Sequence, residues 1–256
     1  MKIPGDLLDT IVNSKNVAAL TGAGVSAESG VPTFRGEEGL WRNFRAEGFT
    51  TPEELATPEA FRRDPKLVWE WYDWRRTLIA PLKPNPGHLS LAKFEKRLKK
   101  KEEGRFTLVT QNVDGLHRLA GSADPVEMHG NIWFTRCVDE GTVRENRDAP
   151  LPQLPPLCPD CGAMVRPHIV WFGESLEPSV LERAYKAAQE AEVFFIIGTS
   201  AVVQPSASLA GIAKDAGAMV VEINLESTPV TSLVDLSLKG PSGVILPELL
   251  KMIESA

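Results

Sequence analysis

The sequence predicts an α/β protein with a doubly wound parallel sheet. Short apolar runs indicate buried strands at residues 17–20, 106–110, 193–197 and 219–223. Helical segments separate most of them, which is typical of parallel strands joined by crossover helices. Glycine or small polar residues follow each run, as expected where strand ends face a ligand.

The helices fall between these strands. An amphipathic segment at 6–14 precedes the first strand, and Pro65 opens a helix over 66–79. The basic run at 96–101 has acidic neighbours, so it indicates a solvated helix face rather than a nucleic-acid site. The remaining predicted elements are helices at 87–101, 113–119, 178–191 and 205–216, and a short strand at 125–128.

Composition places the chain among ordinary globular proteins. Its 256 residues suffice for one large domain, or for one domain with an insertion. The net charge of −6 disfavours general binding to nucleic acid, and no apolar run approaches the roughly 20 residues that span a bilayer. The start of the chain lacks a signal-peptide pattern. An odd count of three cysteines suits a reducing compartment, so we expect a soluble cytoplasmic protein.

The first strand ends in a glycine-rich turn. Gly22, Gly24 and Ala27 fit the G-x-G-x-x-G/A pattern, in which the bare backbone approaches a pyrophosphate. Phe34 and Arg35 then place an aromatic face and a cation where a nucleotide would lie. A dehydrogenase would continue through a helix to an acidic residue about 20 positions on, and this chain does not. The turn therefore indicates NAD binding without hydride transfer.

Polar clusters follow the other strands. Gln111, Asn112 and Asp114 follow the second, residues 198–200 the third, and residues 224–226 the fourth. Each cluster alone is explained equally well by turns and helix caps. Together with the glycine turn at one sheet edge, they favour a ligand that carries phosphates and riboses.

One of the four histidines is a candidate base. His129 follows the short predicted strand at 125–128, which would bring its imidazole near the same crevice. Histidine suits proton transfer near neutral pH, although a lone histidine is more often a structural hydrogen bonder. Spacing alone leaves both roles open.

In combination these motifs resemble the sirtuin family of NAD-dependent protein deacylases. The matching segments occur in the family's order over nearly the whole chain: GAGVSAESGVPTFRG at 22–36, Gln111-Asn112-x-Asp114, His129-Gly130, VWFGE at 170–174 and Gly198-Thr199-Ser200. The resemblance implies one catalytic domain over 1–256, with an acyl-lysine peptide entering the cleft between two lobes. The larger Rossmann lobe would comprise 1–36, 88–131 and 168–256, and the smaller lobe a helical module at 37–87 and a zinc module at 132–167.

The resemblance also implies roles for residues. The stretch 22–41 would wrap the diphosphate and nicotinamide ribose of NAD, and His129 would act as general base on a ribose hydroxyl. The acyl oxygen would attack the anomeric carbon as nicotinamide leaves, and the activated hydroxyl would then attack the imidate, releasing lysine and O-acyl-ADP-ribose. Asn112, next to the nicotinamide, is the second implied catalytic residue. The implied NAD contacts are Gly22, Ala23, Gly24, Ala27, Thr33, Phe34, Arg35, Trp41, Gln111, Asn112, Asp114, Gly198, Thr199, Ser200, Asn224, Leu225, Glu226 and Ser242.

Two residues on one predicted helix bear on the acyl group. Tyr72 and Arg75 lie three apart and share a helix face; the plain alternative is a surface arginine beside an inward-packed aromatic. The spacing resembles the Tyr-x-x-Arg pair of the sirtuin class that removes succinyl and malonyl groups, where arginine clamps a carboxylate. Ala56 matches the small residue that leaves room for such a group, and residual deacetylation is expected. The run Val170-Trp171-Phe172 would pair with the extended substrate.

The zinc pattern of the family is incomplete here. The pair Cys158 and Cys161 is intact, whereas Cys137 is followed by Glu140 where a second cysteine would stand. Zinc on three thiolates with Glu140, water or His168 as the fourth ligand is one hypothesis. A metal-free insertion with three free thiols is another, and a redox pair of Cys158 and Cys161 is a third.

Three functions remain in competition at this level. NAD-dependent removal of acyl groups from protein lysines is the first, with acylated proteins or peptides as partners and the protein as a monomer. ADP-ribosyl transfer to protein would use the same site with a different nucleophile. An NAD-sensing module without turnover is the third, and neither a membrane nor a nucleic acid is expected as a partner.

Overall fold

The computed structural model describes residues 3–32 and 51–256. Four of the implied NAD contacts, Thr33, Phe34, Arg35 and Trp41, lie outside the described residues. Among the helices that are described, none has the length and apolar character needed to cross a bilayer.

Six parallel strands form the main sheet, in the order β3-β2-β1-β7-β8-β9. Taken in chain order, this is the 3-2-1-4-5-6 arrangement of a doubly wound dinucleotide-binding sheet, so the predicted fold class is confirmed. The order reverses between β1 and β7, and ligands of such sheets bind outside the carboxyl ends at that point. The strands are β1 (Asn16–Thr21), β2 (Arg105–Thr110), β3 (Val126–Glu127), β7 (Val193–Ile197), β8 (Met219–Asn224) and β9 (Leu236–Lys239).

Helices cover both faces of this sheet. In β1, Val17 and Ala19 pack in one core cluster and Ala18 and Leu20 in another, as the alternation of side chains across a strand requires. Because both faces are buried, the central strands are continuously apolar, which is why the sequence predicted them. The helices are α1 (Gly5–Asn13), α6 (Pro86–Leu98) and α10 (Ser242–Ser255) on one face, and α8 (Pro178–Glu190) and α9 (Leu209–Asp215) on the other; the short helices α2 (Ala23–Ala27) and α7 (Leu116–Leu119) follow β1 and β2.

A smaller module packs around its own core. Its antiparallel sheet has the order β5-β4-β6, with β4 at Gly130–Cys137, β5 at Val143–Glu145 and β6 at Val165–Ile169. The helices α3 (Pro52–Leu55), α4 (Pro58–Arg63) and α5 (Pro65–Ile79) share this core with β4 and β6. The indole Nε1 of Trp69 donates a 2.8 Å hydrogen bond to the carbonyl of Val165, which fixes α5 against β6.

Several elements were not predicted from sequence. The three strands of the small sheet lie in the region interpreted only as an insertion, and β9 and α10 were not identified. Ser242, interpreted as part of a turn, begins α10.

Candidate active site

The glycine-rich turn after β1 lies directly against the end of β7. Gly22 N donates to the carbonyl of Ile197 at 3.0 Å, and Gly24 N donates to that of Gly198 at 2.8 Å. A Cβ at Gly22 would lie 2.7 Å from the Cβ of Thr199, and one at Gly24 would lie 2.8 Å from the Gly198 carbonyl oxygen. The glycines are therefore required by close packing at the switch point, besides any need for a phosphate to approach. Ala23 and Ala27 are exposed on the same turn.

Side chains at the ends of β2, β7 and β8 are joined by hydrogen bonds. Gln111 Nε2 donates to Thr199 Oγ1 at 2.9 Å, and Asn224 Nδ2 donates to the carbonyl of Thr199 at 2.9 Å. Ser206, which sequence reasoning did not single out, donates to Gln111 Oε1 at 2.8 Å. The predicted clusters thus meet at one edge, where Ser200, Glu226 and the 66% exposed Leu225 face solvent.

Asn112 and Asp114 form the buried floor beside the turn. Asn112 Nδ2 donates to the carbonyl of Gly22 and to Ser26 Oγ, both at 3.0 Å. Burial raises the pKa of Asp114, while hydrogen bonds from the backbone of Leu116 and from Ser26 oppose that rise. Asp114 Oδ1 accepts the Leu116 N–H at 2.8 Å. Ser26 is therefore a hydrogen-bond partner of both Asn112 and Asp114. Sequence reasoning did not single it out, and its burial on α2 is the one feature that distinguishes it.

Two histidines lie beneath this floor. His88 Nε2 is 3.3 Å from Ser26 Oγ, His117 Nε2 is 2.9 Å from Thr21 Oγ1, and the two rings are 4.7 Å apart. Burial lowers the pKa of His88 to about 4 and that of His117 well below its usual value. Both are neutral hydrogen-bonding groups at physiological pH, so the structural interpretation of a lone histidine fits them.

His129 has the arrangement of a general base. Its Nδ1 donates to the carbonyl of Gln111 at 3.0 Å, which leaves the lone pair of Nε2 available to accept a proton. The imidazole is half-buried, and burial lowers its pKa while the hydrogen bond to Gln111 opposes the shift. The ring is therefore neutral at physiological pH, as a base must be before it acts.

The residues implied to bind the acyl-lysine meet on one side of the small module. Phe172 N donates to the carbonyl of Ala56 at 2.9 Å, and Trp171 Nε1 donates to the Tyr72 hydroxyl at 2.9 Å. Arg75 is 9% exposed, and its Cζ lies 5.5 Å from the centroid of the Tyr72 ring. Burial lowers the pKa of Arg75, while Tyr72 and Asp114 act in the opposite direction.

The run at 170–172 is more occupied than sequence reasoning assumed. Val170 N donates to the carbonyl of His129 at 3.0 Å, and Trp171 N donates to Glu174 Oε2 at 2.9 Å. Since Phe172 N is also engaged, an added substrate strand would find only carbonyl groups in this run. A substrate strand would therefore pair with carbonyl groups of this run, and the strand-addition interpretation stays a prediction; the run also connects His129 to Ala56 through its own hydrogen bonds.

Three thiols and one carboxylate converge in the small module. Ligand atoms of Cys137, Glu140, Cys158 and Cys161 all lie within 4.8 Å of one another, and the Sγ atoms of Cys137 and Cys161 are 3.5 Å apart. Tetrahedral zinc with bonds to sulfur of about 2.3 Å places its ligands at comparable separations. His168, the other candidate ligand, is not in this group. The donor set fits zinc with Glu140 as the fourth ligand.

Ser242 has a structural partner. Its hydroxyl donates to Glu28 Oε1 at 2.5 Å, and Gly243 N donates to the same carboxylate at 3.0 Å. The residue is 5% exposed. These contacts join the start of α10 to the end of α2, and the contact of Ser242 with adenine stays a prediction.

Comparison with known proteins agrees with this geometry. The Sir2 family model matches residues 22–205. A curated NAD-dependent protein deacylase of Aquifex aeolicus is 55% identical over 88% of this chain and 89% of its own length. A solved Sir2 homolog–NAD complex superimposes with a TM-score of 0.88 at 44% identity, covering 99% of this chain and 95% of that one. A Sir2–p53 peptide–NAD⁺ structure gives a TM-score of 0.83 at 29% identity over 100% of both chains.

Proposed function

The chain belongs to the Sir2 family, and from that premise we propose that it is an NAD-dependent protein-lysine deacylase that prefers acidic acyl groups. Its curated relatives are named NAD-dependent protein deacylases, and a structural neighbour binds both a peptide and NAD⁺. The observation that carries the acyl preference is the buried Arg75, whose Cζ lies 5.5 Å from the centroid of the Tyr72 ring.

The residues at the sheet edge suit such a reaction. Bound NAD would supply a ribose whose anomeric carbon exchanges nicotinamide for the acyl oxygen and whose hydroxyl finally carries the acyl group. Asn112, held by Gly22 and Ser26, presents a fixed amide on the floor of the crevice. His129 accepts a proton at Nε2, because Nδ1 is committed to the Gln111 carbonyl. The hydrogen-bonded ends of β2, β7 and β8 hold these groups in place before substrate arrives.

Three features suit a carboxylate at the far end of the acyl chain. Arg75 is desolvated, and a charged pair is stronger in a low-dielectric site than in water. The Tyr72 ring lies next to Arg75 and carries a hydroxyl donor, and Ala56 contributes only a methyl group. A neutral acetyl group would make no ion pair with Arg75.

Replacing Arg75 by methionine tests this preference. We expect kcat/KM for a succinyl-lysine peptide to fall about 100-fold, since a charge-assisted hydrogen bond in a buried site contributes about 1.5–3 kcal/mol. The acetyl-lysine value should change less than about threefold, because acetyl makes no ion pair. Arg62→Met is the matched control, since its side chain is 70% exposed on the neighbouring α4. Mass spectrometry of both peptides and of O-acyl-ADP-ribose measures the rates.

The same assay separates the competing functions. Consumption of NAD with both peptides left acylated would favour ADP-ribosyl transfer or NAD hydrolysis. Binding of NAD without turnover would favour the sensing module. An equal loss on both peptides in Arg75→Met would contradict the acyl preference and leave the deacylase assignment standing.

We also propose that Cys137, Glu140, Cys158 and Cys161 hold a structural zinc ion. Their donor atoms already converge, and three thiolates with one carboxylate are legitimate zinc ligands. The ion would join the β4–β5 turn to the loop before β6, and no catalytic group belongs to the cluster.

Glu140→Gln tests the fourth ligand. We expect one zinc per chain in the parent protein and at least about a tenfold loss of zinc affinity in the variant, because even supporting partners of a site affect affinity 10–100-fold. Asp139→Asn is the control, since Asp139 is exposed and is not in the cluster. Zinc release into a chromophoric chelator measures the affinity. A parent protein purified without zinc, by a method that spares metals, would favour the three free thiols instead.

Two further expectations stay predictions. A monomer and a reducing, cytoplasmic setting were inferred from sequence, the latter from the odd cysteine count. The converging thiols support a reducing setting, because zinc binds the thiolate and not the disulfide.

A further inference from the structure

The indole of Trp171 makes a buried contact with Tyr72. Trp171 is 2% exposed and Tyr72 is 1% exposed, and Nε1 of the indole is 2.9 Å from the phenol oxygen. An indole N–H can only donate, so the Tyr72 oxygen accepts, and its own proton is not spent on Trp171. Burial raises the pKa of Tyr72, which keeps that proton in place at neutral pH.

Two neighbouring side chains pack against the indole of Trp171. Arg166 stacks on it with Cζ 3.6 Å from the ring centroid, and the Phe61 ring lies 5.2 Å away. Arg166 makes a paired contact with Glu174 at 2.6 and 2.8 Å, and Glu174 also accepts the Trp171 N–H at 2.9 Å. Cation–π stacking on a partly buried guanidinium that is anchored by a carboxylate restricts the indole to one orientation.

We infer that Trp171 is a positioning residue that aims the Tyr72 hydroxyl at the carboxylate of an acidic acyl group, with Arg166 and Glu174 as its anchor. The inference rests on the proposed acyl preference. Arg75 supplies charge, and Trp171 acts through the direction of a proton: by occupying one lone pair of the Tyr72 oxygen, it fixes where the O–H bond can point. The residues that set acyl selectivity then extend from α5 into the loop after β6.

Acetyl-lysine serves as the comparison substrate for succinyl-lysine. Acetyl-lysine has no distal carboxylate to accept the Tyr72 proton, so its turnover should be indifferent to the direction of that proton. A merely structural role of Trp171 would affect both substrates alike. Selectivity between the two acyl groups therefore distinguishes positioning from support of the fold.

Trp171→Phe removes the N–H donor and keeps an aromatic ring in contact with Arg166 and Phe61. We expect KM for succinyl-lysine peptide to rise about tenfold with kcat nearly unchanged, and the ratio of succinyl to acetyl kcat/KM to fall at least about fivefold. In a Tyr72→Phe background, the same change should have no further effect on succinyl-lysine, because the two act as one unit. Trp69→Phe is the matched control, since it also removes a buried indole hydrogen bond in this module, one whose acceptor is the Val165 carbonyl and not Tyr72.

A second variant guards against a folding defect. Arg166→Met keeps the indole donor but removes its anchor, and we expect about a threefold loss of succinyl selectivity that is also absent in the Tyr72→Phe background. Equal effects on both peptides, or additive effects with Tyr72→Phe, would overturn the positioning role. Unchanged selectivity in Tyr72→Phe and Arg75→Met themselves would instead overturn the acyl preference on which it rests.

Discussion

Replacement of His129 by alanine is expected to lower kcat/KM for deacylation about 10³-fold, within the range that a positioned general base contributes. The reason is the hydrogen bond from Nδ1 to the Gln111 carbonyl, which holds the ring and leaves Nε2 as its acceptor. Alanine removes the acceptor while leaving the ends of β2 and β7 joined through Gln111 and Thr199. Mass spectrometry of O-acyl-ADP-ribose provides the rate.

His168→Ala is the matched control for this experiment. His168 is also half-buried and lies on β6, and it is not among the residues joined by hydrogen bonds at the sheet edge. We expect it to retain activity within about threefold, and NAD affinity measured by calorimetry to be similar in both variants. Deacylation by His129→Ala within about tenfold of the parent would show that another group takes the proton.

The pH dependence follows from the same residue. The base acts in its neutral form, and burial lowers the pKa of His129 below 6.5. Activity should therefore be fully present at neutral pH and be lost as pH falls through this lowered pKa. A profile of kcat/KM between about pH 4.5 and about pH 8 should place the acid limb below 6.5, and the limb should vanish in His129→Ala. An acid limb above that value would contradict the assignment.

The parts of the fold that sequence predicted are those with local signals. The run Val193–Ile197 is apolar throughout because helices cover both faces of the sheet. The strand Val165–Ile169 alternates buried and half-buried positions, but Arg166, Pro167 and His168 conceal that pattern. It is a strand because β4 pairs with it and because Trp69 of α5 bonds to Val165, and both contacts are distant in sequence.

The candidate site also combines residues that local sequence predicts with residues that only distant contacts bring in. Gln111 and Thr199 could be anticipated because polar residues at the ends of parallel strands meet at one edge. Ser206 could not, because its hydrogen bond to Gln111 spans 95 positions and its local sequence indicates only a helix. The sequence also could not show that Glu140 rather than His168 lies beside the three thiols, because that depends on how the insertion folds.

Gly130→Ala is expected to be the most destabilising substitution near the site. The residue has a φ of +80°, and a Cβ there would lie 2.1 Å from the carbonyl oxygen of His168. A left-handed conformation alone costs an L-residue about 1–2 kcal/mol, and the clash adds to it because a paired backbone must move. Gly130 pairs with Ile169, so the displaced strand would carry His129 with it. We expect a loss above about 3 kcal/mol and a melting temperature lower by roughly 10 °C.

Gly217→Ala separates backbone strain from the clash. Gly217 has a φ of +90°, and within the described part of the chain a Cβ there would have open space out to 4 Å. It should therefore lose only the conformational free energy of about 1–2 kcal/mol, and keep full activity because it lies between α9 and the start of β8, at the sheet edge opposite the site. Equal melting temperatures for the two variants would show that β6 can move away from a Cβ at position 130 with no further loss of stability. If Gly130→Ala instead melts far below Gly217→Ala and also loses deacylation, the bare backbone at Gly130 is what lets β6 close against His129 and hold the base in register.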